Sequence, residues 1–105
     1  MRDDKVYTML GLAQRAGGVA SGEAAVAASL GRGKARLVIL AHDASENTVR
    51  RFRSLAQQQN VPYVFFGTKE SLGHAIGKAP RAALAVEDRR FAQTLRGLLT
   101  EGKLR

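Results

Sequence analysis

A chain of 105 residues is enough for one domain, and this one sets 17 Lys and Arg against 9 Asp and Glu, a net charge of +8. It has no Cys, which excludes disulfides, thiolate metal centres and cysteine nucleophiles, and no apolar run nears the ~20 residues of a membrane span. Such a cation excess draws a protein towards polyanions, nucleic acid first, where the alternative is mere solubility.

The start, Met1-Arg2-Asp3-Asp4-Lys5, is charged and lacks the apolar region of a secretory signal, so a cytoplasmic protein is expected. Val6, Met9, Leu10 and Ala13 recur at helical spacing, which predicts a first helix over residues ~4–15. Gly17-Gly18 ends it, and Val19-Ala20 reads as a short extended bridge. Ser21 is a candidate N-cap, with Glu23 in the first turn of a helix that continues from Ala24 to Leu30. Gly31-Arg32-Gly33-Lys34 breaks that helix into a basic loop. Arg36 to Ala41 is apolar and β-branched, the pattern of a strand buried on both faces.

His42 to Ser45 reads as a loop ending in an N-cap, either Asp43 or Ser45, with Glu46 next in the first turn. Val49, Phe52, Leu55 and Ala56 mark the inner face of a third helix, and Arg50, Arg51 and Arg53 its outer face. That arginine run is either a solvated face or a phosphate contact. Pro62 to Phe66 is a second buried strand, and Thr68 caps a short helix through Leu72 and Ile76. Gly77-Lys78-Ala79-Pro80 is a loop and Arg81 to Val86 a third strand. Glu87-Asp88 reads as the acidic first turn of a last helix. That helix is marked by Phe91, Leu95, Leu98 and Leu99 and frays into a tail from Thr100 to Arg105. Helices alternating with strands predict an α/β layered sandwich in one domain, residues 1–105.

Catalytic chemistry finds little footing. A P-loop needs its glycines and Gly-Lys-Ser/Thr after a strand and before a helix. Here Ala28 and Ala35 stand at two of the required positions, and the loop runs from helix to strand. His42 and Asp43 are chain neighbours whose side chains point apart, and His74 stands alone. Two His without Cys offer no zinc spacing. We therefore expect no enzyme activity, no catalytic residue, no metal and no cofactor.

Four blocks carry a resemblance: Ser21-Gly22-Glu23, the run from Lys34 to Ser45, Val61-Pro62-Tyr63, and Leu72 to Lys78. In this order and spacing the chain resembles the kink-turn-binding ribosomal protein family typified by archaeal ribosomal protein L-seven-Ae. Asp43-Ala44-Ser45-Glu46-Asn47-Thr48 is most similar to its bacterial YlxQ-type branch. The resemblance runs from about Tyr7 to Leu95. It implies a three-layer α-β-α sandwich around a small mixed sheet of about four strands. It also implies binding to RNA kink-turns, where a duplex bends sharply beside tandem G·A pairs.

Carried over residue by residue, the resemblance places Ser21, Gly22 and Glu23 at the helix turn that enters the bent RNA. Ile76, Gly77, Lys78, Ala79, Pro80 and Arg81 form a loop that covers an extruded nucleotide. The family's Asn and Lys in the helix motif are replaced here by Gly22 and Val26, which leaves Arg32, Lys34 or Lys78 to supply cations. The physics of the helix start agrees: free N–H groups and the dipole attract phosphate, Gly22 allows close backbone approach, and Glu23 suits a base amino group. A Glu that only complements the dipole is the simpler alternative. The expected partner is structured RNA, a kink-turn or ribosomal RNA, with ribosomal proteins as further partners and no membrane. Two rival readings are a protein-interaction module of a ribonucleoprotein particle and the substrate-binding domain of an RNA-modifying enzyme.

Overall fold

The computed structural model describes residues 2–101. Its elements in chain order are α1 (Arg2–Arg15), β1 (Val19–Ser21), α2 (Glu23–Gly31), β2 (Leu37–Leu40), α3 (Glu46–Gln58), β3 (Tyr63–Phe65), α4 (Lys69–Ala75), β4 (Ala83–Val86) and α5 (Arg89–Glu101).

The four strands form one mixed sheet in the order β1-β4-β2-β3. β4 is antiparallel to both its neighbours, pairing Ser21 with Leu84 on one side and Leu40 with Ala83 on the other. β2 and β3 are parallel, with Leu40 opposite Phe65. The last strand in sequence is thus inserted in the middle of the sheet.

Every residue of β2 and β4 is buried, as expected for strands covered on both faces. Successive side chains alternate between two separate cores. Leu37, Ile39 and Leu84 face a core closed by Val6, Leu10, Leu72 and Leu95 of α1, α4 and α5. Val38, Leu40 and Ala85 face a second core closed by Val26, Leu30, Phe52 and Ala56 of α2 and α3. Burying each Leu, Ile, Val or Phe side chain is worth ~1.5–3 kcal/mol, so this double face is what binds five helices to four short strands. The three-layer sandwich and its mixed sheet of four strands are as the resemblance implies.

Some local readings need correction. Val19-Ala20 is an edge strand that also takes in Ser21, so Ser21 lies in the ladder and is not the N-cap of α2. The α3 cap is Ser45, whose hydroxyl oxygen accepts from the Thr48 amide at 3.1 Å. Asp43 instead accepts from the Lys69 amide at 2.8 Å, and so ties the end of β2 to the start of α4. Glu87 precedes α5 and accepts from the Ser29 hydroxyl at 2.7 Å, while Asp88 caps α5 through the amides of Arg90 and Phe91. The last helix includes Thr100 and Glu101; the rest of the expected tail, 102–105, lies outside the described residues. No helix among the described residues is long and apolar enough to cross a membrane.

Candidate nucleic-acid interface

Because β1 and β2 run in one direction and β4 in the other, the ends of β1 and β2 and the start of β4 share one edge of the sheet. There the chain passes from β1 into α2 through Gly22. The Gly22 amide extends the ladder to the Ala83 carbonyl at 3.0 Å, and its carbonyl already accepts from the Val26 amide at 2.9 Å. One residue does both jobs only by adopting φ 91° and ψ 160°, a region essentially reserved for glycine. No side chain caps the helix, and the first-turn amides have no acceptor within it. This end of α2 is a bare donor surface with the positive pole of the helix dipole behind it.

The bare turn forms one wall of an open groove of about 550 Å³. Pro80, Arg81 and Ala82 form the opposite wall, with Lys69 at the side. Arg81 is fixed on every side. Its Nε donates to the Ser21 hydroxyl at 3.3 Å, its guanidinium donates to the carbonyls of Ala79 and Pro80, and its amide donates to the Lys69 carbonyl at 2.9 Å. The aliphatic part of Arg81 also lies 3.8 Å from where a Cβ on Gly22 would sit. Two cations and a set of free amides therefore face one concavity, an arrangement suited to phosphate.

Glu23 is the exception in charge, and α3 explains how it is held. Thr48 donates its hydroxyl proton to Glu23 Oε2 at 3.1 Å. Arg51 approaches Oε1 at 3.8 Å, a loose pair whose side chains are half exposed and which adds little by itself. Arg50 is held by the Asn47 side chain. Of the outer arginine run, Arg51 reaches the groove residues through Glu23.

The loop that follows α4 is shaped by that helix. Gly73 has no side chain, and a Cβ there would collide with the backbone of Lys78 and Ala79. Gly77 turns the chain at φ 72°, and Lys78, Ala79 and Pro80 are exposed. Ile76 behaves differently from the expectation. It is 5% exposed and belongs to the core under α1 and α4, so it supports the loop from below.

Of the sequence-predicted residues, Ser21, Gly22, Glu23, Pro80 and Arg81 converge on the groove. Arg32 and Lys34 do not. They lie past the other end of α2, whose nine residues at ~1.5 Å each set the two ends about 13 Å apart. Both side chains are exposed there, beside a smaller hollow lined by Gly33, Arg36 and Asn60. Lys69 and Thr48 were not singled out as site residues, and Arg51 only within an arginine run read as a solvated face or a phosphate contact. Each is brought in by a tertiary contact, and Lys69 carries no local signal beyond following the Thr68 cap. Among the described residues no group of three His, Asp or Glu could hold a metal ion.

Known proteins share this fold and much of this sequence. The model of the ribosomal protein L7Ae/L30e/S12e/Gadd45 family matches residues 4–96. The chain is 40% identical over 93 residues to the RNA-binding protein YlxQ of Bacillus subtilis, covering 89% of this chain and 93% of that one. It is 32% identical over 85 residues to the large ribosomal subunit protein eL8 of Thermoplasma volcanium, covering 80% and 70% of the two chains. Its fold matches the 15.5kD RNA binding protein of Giardia lamblia with a TM-score of 0.81 at 22% identity, over 98% of this chain and 88% of that one.

Proposed function

The chain belongs to the ribosomal protein L7Ae/L30e/S12e/Gadd45 family, and from that premise we propose that it binds structured RNA at the α2 groove, recognising a kink-turn or a similarly bent element without catalysis. The observation that carries the reading is the groove itself. Uncapped amides, Arg81 and Lys69 surround a concavity that also holds one carboxylate. Phosphates would meet the amides and cations. Glu23, which repels phosphate, would accept from an amino group on a base edge. The exposed surface of Ala79 and Pro80 would cover a nucleotide turned out of the stack, since RNA recognition favours unstacked bases and shape.

The relatives named for RNA binding and for the ribosome support a cytoplasmic, ribosome-associated role. Arg32, Lys34 and Lys78 belong to the proposed interface as phosphate contacts along the flanks.

The test is a gel-shift titration with three RNAs: a kink-turn, the same sequence without its tandem G·A pairs, and a straight duplex. Clear preference for the first is expected. Equal binding to all three overturns the proposal.

A further inference from the structure

We infer that Thr48 is a positioning residue for RNA recognition, holding the Glu23 carboxylate in one orientation at the groove. The inference rests on the proposed role of Glu23 as an acceptor for a base amino group.

A short relay of hydrogen bonds carries the argument. The Thr48 amide donates to the Ser45 hydroxyl oxygen at 3.1 Å, the Ser45 hydroxyl donates to Thr48 Oγ1 at 2.9 Å, and the Thr48 hydroxyl donates to Glu23 Oε2 at 3.1 Å. The direction is forced from both ends. A backbone amide can only donate and an ionised carboxylate can only accept, so neither hydroxyl proton has a second arrangement that keeps all three bonds. The N-cap of α3 is thus continued, through one buried hydroxyl, to a groove residue on α2.

The relay is anchored where it needs to be stiff. Thr48 is 7% exposed, and Phe52, one turn further along the same face, is fully buried. Water has little access to compete for the Thr48 hydroxyl. The other partner of Glu23 is unsuited to the task, because Arg51 is half exposed and 3.8 Å away. Oε2 is engaged by Thr48 and Oε1 only loosely by Arg51, so Oε1 is the more open oxygen to meet a base. Without the Thr48 hydroxyl, the carboxylate would be free to turn and close its ion pair with Arg51, which withdraws it from the RNA.

The experiment uses the full chain and its variants Thr48→Val, Thr48→Ser, Glu23→Ala and the Glu23→Ala/Thr48→Val double, each titrated with a kink-turn RNA and a straight duplex. Valine keeps the shape and the backbone amide, so the Ser45 cap survives. We expect Thr48→Val to weaken kink-turn binding about tenfold, equivalent to about 1.4 kcal/mol, with duplex binding and salt slope unchanged. Thr48→Ser should bind as the unaltered chain does, and the double variant no worse than Glu23→Ala alone, because the two act as one unit. Selective loss with Glu23→Ala beside a neutral Thr48→Val, or additive losses in the double, overturns the inference alone. Glu23→Ala losing equally on both RNAs, or no preference by the unaltered chain, overturns the role of Glu23 and this inference with it.

Discussion

The Lys78 amide donates to the Gly73 carbonyl across 2.8 Å, which brings the loop after α4 back against the helix it has just left. The contact is backbone on backbone, so only glycine fits at 73. Gly73→Ala would have to displace Lys78 and Ala79, and overpacking of this kind costs about 1–3 kcal/mol. Thermal unfolding should show it, at roughly 4–8 °C per kcal/mol for a domain of this size. RNA binding should fall as well, at temperatures where the variant is still folded, because Pro80 and Arg81 hang on the displaced loop.

Gly22→Ala tests a different cost. A methyl group at 22 meets only Arg81 atoms at ordinary contact distance, so crowding is minor. The penalty lies in the backbone angles, about 1–3 kcal/mol for a non-glycine residue in this region. A urea titration should give a lower midpoint with an unchanged slope. The bond from Gly22 to Ala83 should open first, which amide exchange at residue 22 would report.

Cations on the groove should count in the salt dependence. Lys69→Ala and Arg81→Ala are each expected to lower the slope of log affinity against log salt by about 0.7–0.9, one phosphate contact apiece. Lys34→Ala should do the same only on an RNA whose stem extends along α2. On a fragment trimmed to the bend its slope should match the unaltered chain, since Lys34 lies beyond the far end of that helix.

Asp88→Ala removes a cap remote from the groove. Its carboxylate serves two amides at the start of α5, and loss of an N-cap costs about 0.5–2 kcal/mol. A lowered melting temperature with undiminished RNA affinity is the expected pair of results.

Much of this architecture was legible in the residues. The apolar run in β2 and the helical spacing of Val6, Leu10 and Ala13 report burial directly, and burial is local to read. The Thr68 cap was legible for the same reason, acting within its own turn, and Ser45 was one of two candidates for the α3 cap. What escaped was the pairing of distant segments. Val19 to Ser21 is too short to announce itself as a strand, and exists because β4 lies beside it. Asp43 has the chemistry of an N-cap and does accept from a helix-start amide, but that of Lys69 in α4, 26 residues away, where Thr68 is the cap. In the site, Gly22, Glu23 and Arg81 could be named from motif and resemblance. Lys69 and Thr48 could not, because their roles come from which helices the sheet sets side by side. The burial of Ile76 was not legible, because an apolar residue in a loop reads equally as an exposed surface or as an anchor.

The position of β4 between β1 and β2 has a consequence for biosynthesis. A nascent chain that has made only its first eighty residues owns the bare turn of α2 but lacks Arg81 and Ala82 of the facing wall, and its sheet lacks the strand that joins the two halves. The groove is completed only when β4 closes the sheet, so its full set of walls is a property of the folded chain and not of either half.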